Sequence, residues 1–122
     1  MSDSTNSDVG FVPNHLSRYH NTVLIAAGGS GERMGAGIAK QFIEVGGLPA
    51  VVRTLLVFQK SPLITDIVVV GRPGDEELYR EFASRYGIDK LTAVAEGGET
   101  RQESVLSGLK CVSDKSRFLL IH

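Results

Sequence analysis

Thr22-Val23-Leu24-Ile25-Ala26-Ala27 runs straight into Gly28-Gly29-Ser30-Gly31-Glu32-Arg33-Met34-Gly35, and Lys40-Gln41 follows closely. The first six residues are apolar or β-branched, the pattern of a buried strand. The turn after them holds three glycines in four positions, so backbone N–H groups can come close to a ligand with no side chain between. Arg33 and Lys40, seven residues apart, add two cations to the same segment. A strand that empties into a glycine-rich turn beside cations is suited to holding phosphate groups.

Outward from this segment, apolar runs alternate with helical patterns. A helix is expected from about Pro49 to Gln59, with Pro49 at its first position and Val51, Leu55 and Phe58 on one face. Asp66-Ile67-Val68-Val69-Val70 reads as a strand covered on both sides. Gly71 to Gly74 breaks the chain, and Asp75, Glu76 and Glu77 open a second helix at its positive dipole end. Its apolar stripe is Leu78, Phe82 and Tyr86. A third strand, Leu91 to Ala95, leads to Gly97-Gly98. Thr100-Arg101-Gln102-Glu103 has the form of a capping box, in which the Thr100 hydroxyl and the Glu103 carboxylate satisfy each other's backbone N–H. The helix it starts would bury Val105, Leu109 and Val112, and Phe118 to Ile121 begins a fourth strand. Such alternation implies a parallel sheet with right-handed crossovers and helices on both faces. Ligands of these sheets sit beyond the carboxyl ends of the strands, where both glycine turns fall.

Bulk properties narrow the function classes. With 122 residues, 42% hydrophobic and 22% charged, the chain has the length and composition of at most one globular domain. A net charge of −1 provides no broad basic field, so a nucleic-acid polymer is not an expected partner. Its 14 glycines exceed the usual share of roughly 7%. The single cysteine, Cys111, is expected on a helix as a small buried hydrophobe. No apolar run nears the ~20 residues of a membrane helix, and the acidic, polar start matches neither a secretory nor an organellar leader. A cytoplasmic protein without membrane contact is expected. Residues 1–20 read as a disordered or loosely packed tail, and residues 21–122 as the ordered part. His15 and His20 lie in that tail without metal-site company. Because the chain stops on an apolar strand, it reads as the N-terminal fragment of a larger domain.

Two common phosphate-binding signatures fail. The P-loop G-x-x-x-x-G-K-[ST] is absent, and Gly29-Ser30-Gly31-Glu32-Arg33-Met34 lacks the third glycine of a dinucleotide fingerprint. A loop whose amides are assisted by side-chain cations remains.

Ala27 to Gly35 together with Lys40-Gln41-Phe42 resembles the signature of nucleotidyltransferases that activate sugar and polyol phosphates. Gly97-Gly98-Glu99-Thr100-Arg101-Gln102-Glu103-Ser104-Val105-Leu106-Ser107-Gly108-Leu109 is similar to the second motif of the 2-C-methyl-D-erythritol 4-phosphate cytidylyltransferase family, and Leu119-Leu120-Ile121-His122 resembles that family's next strand. The resemblance covers about Val23 to His122. It implies an α/β, Rossmann-like parallel-sheet nucleotidyltransferase domain of glycosyltransferase-A-like type, here truncated to its nucleotide-binding half.

The implied reaction is attack by the phosphate of methylerythritol phosphate on the α-phosphorus of CTP, with Mg²⁺, giving pyrophosphate on the way to isoprenoid precursors. By position, Arg33 and Lys40 would be the catalytic cations. Ala27, Gly28, Gly29, Ser30 and Gly31 would line the triphosphate and base, while Gly98, Glu99 and Ser104 would hold the cytidine. Glycine at Gly98 would keep a side chain off the base. The metal-binding aspartate would follow His122, which leaves no metal ligand within this chain, and the full-length enzyme would be a homodimer. Ala39 stands where the family usually has proline, which loosens the loop without removing the cation. His122 would orient neighbours, since an ionised phosphate needs no general base, and Arg101 would have a structural pairing role. Two alternatives stay open: a ribitol 5-phosphate cytidylyltransferase with the same turn and cation spacing, and a non-catalytic nucleotide-binding fragment. A guanylyl- or uridylyltransferase for hexose phosphates is more distant.

Overall fold

The computed structural model describes residues 19–27, 33–34, 38–39 and 42–122; the expectations for the tail through residue 18, for 28–32 and for 40–41 lie outside them. Four parallel strands form the central sheet in the order β7 (Leu91–Glu96), β6 (Asp66–Gly71), β1 (His20–Ala26), β8 (Ser116–Ile121). Every residue of β6 is buried, as its unbroken Ile67-Val68-Val69-Val70 run requires of a strand covered on both faces. β1 begins at His20, two residues before the expected start, so His20 belongs to the sheet and not to the tail. Thr65 explains the extension: its N–H donates to the Asn21 carbonyl at 2.8 Å and its hydroxyl accepts from the Asn21 N–H at 3.0 Å.

Two short hairpins escape the sequence patterns. β2 (Arg33–Met34) pairs antiparallel with β3 (Ile38–Ala39), and β4 (Glu44–Val45) with β5 (Leu48–Pro49). The second closes through Gly46 and Gly47 at φ 64° and 88°, the pair of positive values that a tight two-residue hairpin demands. Because Pro49 pairs with Glu44 in that hairpin, helix α1 (Ala50–Gln59) starts one residue later than expected.

Helices α1 and α2 (Glu76–Tyr86) cover one face. Val51, Val52 and Leu55 of α1, with Tyr79 and Phe82 of α2, pack on Val23, Ile25, Ile67 and Val69. Side chains of this size contribute about 1.5–3 kcal/mol each on full burial, so the main core lies here. Of the expected α2 stripe only Phe82 is buried, while Leu78 and Tyr86 are partly covered; Tyr79, outside the stripe, is completely buried.

The opposite face carries α3 (Arg101–Leu109), and here the expectation needs correction. The residues it buries are Ser104 and Gly108, not Val105, Leu109 and Val112. A Cβ on Gly108 would lie 2.6 Å from Val70 Cγ2 and 2.7 Å from Leu24 Cδ1, so only a small-residue face can sit this close to the sheet. Leu109 is left 37% exposed, and Val112 lies past the helix end. Cys111 is likewise beyond the helix and exposed, not a buried hydrophobe.

At the amino end of the sheet a polar cluster ties three strands together. Asp66 accepts from the Thr22 hydroxyl at 2.6 Å and meets His20 Nε2 at 2.9 Å. Thr22 gives its proton to Asp66, so Ser116 donates to Thr22 across their 2.5 Å contact. Asp66 is only 7% exposed, so its charge relies on these partners.

Candidate functional site

The carboxyl ends of the four strands are drawn level by backbone bonds between neighbours. Ala27 N–H donates to Val70 O at 2.8 Å, Gly97 N–H to Gly71 O at 2.7 Å, and His122 N–H to Leu24 O at 2.9 Å. β6 therefore ends between the strand that leads to Gly28 and the strand that leads to Gly97. Ala27 and Gly97 therefore stand on the same rim, the edge where parallel sheets of this kind take their ligands.

On the β7 side the rim is built by the start of α3. Thr100 Oγ1 accepts from Glu103 N–H at 3.1 Å, as a capping threonine should. The carboxylate half of the expected box is different: Glu103 Oε1 accepts from Glu99 N–H at 2.8 Å, one residue before the cap. Ser104, 3% exposed, accepts from Gly98 N–H at 3.2 Å. A Cβ on Gly97 would come within 2.6 Å of Ser104 Oγ, and one on Gly98 would collide with Glu103. Glycine is thus required at both positions by the approach of α3, whatever ligand binds. Gly98, Glu99 and Ser104 do come together, with Glu99 at the exposed edge and Ser104 beneath. Arg101 is exposed, and the Glu103 carboxylate, one of the acids that could serve its structural pairing, accepts from Glu99 N–H.

On the β1 side, Ala27 stands at the strand end. Gly28, Gly29, Ser30, Gly31 and Lys40 lie outside the described residues. Arg33 pairs through its backbone with Ala39, the residue that precedes Lys40 in sequence. His122 continues the β8 pairing by one residue, and its ring meets Phe58 edge-on at 5.6 Å.

Arg72, one residue past β6, is a rim residue absent from the sequence motifs. Its Nε donates to Asp75 Oδ2 at 3.1 Å, and its guanidinium lies over the Phe42 ring, 5.7 Å from the centroid. Phe42 is anchored in turn against Tyr79 and Phe82 at 5.8 and 6.2 Å. Asp75 occupies the N-cap position of α2 but makes no side-chain cap, forgoing about 1 kcal/mol to hold Arg72. The signal for Arg72 was present: the strand-end rule applies to β6 as much as to β1 and β7.

Among the described residues, no three His, Cys, Asp or Glu side chains stand close enough to hold a metal ion. Glu96 and Glu99, which flank the Gly97-Gly98 turn, are both exposed. This donor set does not fit Mg²⁺, and no step below runs through the metal. No helix among the described residues is long and apolar enough to cross a membrane.

The sheet order, with α1 and α2 on one face and α3 on the other, defines a doubly wound α/β domain, a class whose ligands sit at the strand carboxyl ends. The profile of the 2-C-methyl-D-erythritol 4-phosphate cytidylyltransferase family matches residues 21–122, and the chain belongs to that family. Curated relatives of that name include one from Halalkalibacterium halodurans, 45% identical over 101 residues, covering 83% of this chain and 44% of the relative. Another, from Geobacillus kaustophilus, is 41% identical over 99 residues, covering 81% of this chain and 43% of the relative. Among solved structures, the 4-diphosphocytidyl-2C-methyl-D-erythritol synthase of Anaerococcus prevotii superposes with a TM-score of 0.68 at 28% identity, over 85% of this chain and 42% of that one. The Francisella tularensis 2-C-methyl-D-erythritol 4-phosphate cytidylyltransferase gives 0.57 at 28% identity, over 84% and 43%. The chain spans less than half the length of these relatives.

Proposed function

We propose that residues 21–122 are the nucleotide-binding half of a cytidylyltransferase that moves CMP from CTP to 2-C-methyl-D-erythritol 4-phosphate. The observation that carries this is that Ala27, which precedes the Gly28–Gly31 segment, and Gly97 stand on either side of β6 at one sheet rim, within a chain of this family. A phosphate oxygen of the acceptor forms a bond to the α-phosphorus, the bond to the β-phosphate bridging oxygen breaks, and its electron pair leaves with pyrophosphate. Arg33 and Lys40 stabilise the negative charge that gathers on the α-phosphoryl oxygens, an interaction stronger in the transition state than in bound CTP. The attacking oxygen is already ionised, so no protein base is required.

Backbone amides from Ala27 through Gly31 follow the triphosphate, with Gly98, Glu99 and Ser104 around the cytidine. While Ser104 accepts from Gly98 N–H, its own hydroxyl hydrogen can serve an acceptor on the nucleotide. Mg²⁺ arriving with CTP would offset phosphate charge, and no residue of this chain is assigned to hold it. The full-length enzyme works as a cytoplasmic homodimer on these small molecules.

The test is pyrophosphate release by the full-length protein with CTP, Mg²⁺ and methylerythritol phosphate. CTP-specific turnover is expected, with GTP and UTP inactive. Turnover with ribitol 5-phosphate in place of methylerythritol phosphate would overturn the acceptor, and nucleotide binding without turnover would overturn the enzyme.

A further inference from the structure

The family motifs name two cations in the sequence, Arg33 and Lys40, and the fold sets a further one at the sheet rim. Arg72 leaves the sheet at the end of β6, between the exits to the two glycine turns. Its guanidinium is held from two sides, by Asp75 through Nε and by the Phe42 ring beneath, and its side chain is only 20% exposed. Nη1 is buried and has no hydrogen-bond partner among the described residues. A buried donor left in that state is uncommon enough in folded proteins to require a reason.

Bracing Phe42 is the plain explanation, and it falls short. Stacking uses the guanidinium face, and the bond to Asp75 uses Nε; neither calls for an idle N–H at Nη1. A methionine in its place could pack against Phe42 without any unmet donor. Asp75, moreover, is turned from its helix cap to fix this one side chain. What results is a cation oriented in advance, with a donor unclaimed by the protein's own acceptors. Guanidinium donors match phosphate oxygens well, and such bonds are among the stronger ones in proteins.

We infer that Arg72 is a third phosphate-binding residue of this site, donating Nη1–H to an oxygen of the nucleotide's polyphosphate chain and of the pyrophosphate released from it. The identity of the nucleotide rests on the function proposed above; the anion site at Arg72 rests on the rim geometry. A contact to phosphates that do not react binds substrate and transition state alike, so its loss is read in KM and not in kcat.

The test uses the full-length protein and Arg72→Met, which keeps an apolar stem over Phe42 and removes the donors. Calorimetric titration with inorganic pyrophosphate is expected to show a Kd raised about 10–100-fold, the range for one bond to a charged group. KM for CTP should rise similarly while kcat changes by less than about threefold, with Arg72→Lys recovering part of the loss. A folded Arg72→Met protein with unchanged pyrophosphate Kd overturns the assignment. If Arg72→Met does not fold, ¹⁵N-arginine-labelled wild type decides: the Arg72 side-chain signal must move on addition of pyrophosphate, and a stationary signal overturns it. Wild type that binds pyrophosphate through Arg72 but does not use CTP would sink the substrate while leaving the anion site standing.

Discussion

The two ends of the same parallel sheet handle polar groups in opposite ways. At the amino end, Asp66 is enclosed by His20 and Thr22, and Thr22 is joined to Ser116, so each bond links one strand to the next. At the carboxyl end, the chain offers glycine turns, a buried serine beside a backbone amide and an arginine with an unmet donor. Saturated polar groups add strength to a fold, whereas a group held in place but left short of partners costs stability unless something else supplies the partner. The contrast therefore separates the end that holds this domain together from the end proposed to meet a ligand. It also predicts a double dissociation: variants at one end should lower activity at constant melting temperature, and variants at the other should do the reverse.

The strongest departure is expected at the cationic segment. Replacing Arg33 or Lys40 by methionine in the full-length enzyme should slow CMP transfer by about 10²–10³, equivalent to roughly 3–4 kcal/mol of transition-state stabilisation. Thermal melting should hardly change. Near-normal turnover in both variants would remove these residues from the chemistry and collapse the functional half of the contrast.

Next in size is Asp66→Ala at the opposite end. It strips two bonds from one carboxylate and leaves the Thr22 hydroxyl, itself in a residue 1% exposed, without its acceptor. A loss of about 3 kcal/mol in denaturant unfolding is expected, with KM for CTP unchanged in the protein that remains folded. A large change in KM with little change in stability would show that the two ends are not independent.

Why some of this was legible in sequence and some was not follows from the range of the interactions. Periodicity reveals which residues are apolar, and so β1, β6, β7, β8 and the three helices could be placed from it to within a residue or two, except the end of α3, which stops at Leu109 and not at Val112. How close a helix approaches is a different matter. The apolar residues of α3 suggested Val105 and Leu109 as its buried side, but the distance to Leu24 and Val70 selects Gly108 instead. The short hairpins were hidden because two-residue strands carry no period; Gly46-Gly47 was their only local mark. At the rim, Gly98 and Ser104 lie six residues apart in one motif and were legible together. Arg72 was marked only as a strand-end residue; the rest of its meaning comes from Phe42, thirty positions away in sequence, and from a cap that Asp75 does not make.

A smaller effect should come from Gly108→Ala. The added methyl must share space with Val70 Cγ2 and Leu24 Cδ1 at under 3 Å, and both belong to the rigid sheet. Overpacking of this kind costs typically 1–3 kcal/mol, and about 2 is expected by denaturant unfolding. Because α3 carries Ser104 and abuts Gly97, this variant should also raise KM for CTP severalfold, unlike Asp66→Ala. An unfolding loss with no change in KM would mean that the position of α3 does not set the nucleotide rim.

Smallest of the series, and the most discriminating, is Ser104→Ala. The substitution removes one hydroxyl and opens almost no space, so the global loss should be limited to about 1 kcal/mol from the unmet Gly98 N–H. What it tests is whether that serine is structural, functional or both. If its hydroxyl only satisfies Gly98, a small drop in stability is the whole effect, and Ser104 joins the saturated end of the comparison despite its location. If the same hydroxyl also donates to the nucleotide, KM for CTP should rise by about 5–10-fold, in line with a bond worth ~1–1.5 kcal/mol. The proposed site predicts both losses together. Titration with CTP and with CDP should show the same ratio between wild type and variant, because a contact to the cytidine does not depend on the terminal phosphate. A deficit that shrinks on going from CTP to CDP would place the contact on the phosphates and leave the base to Gly98 and Glu99.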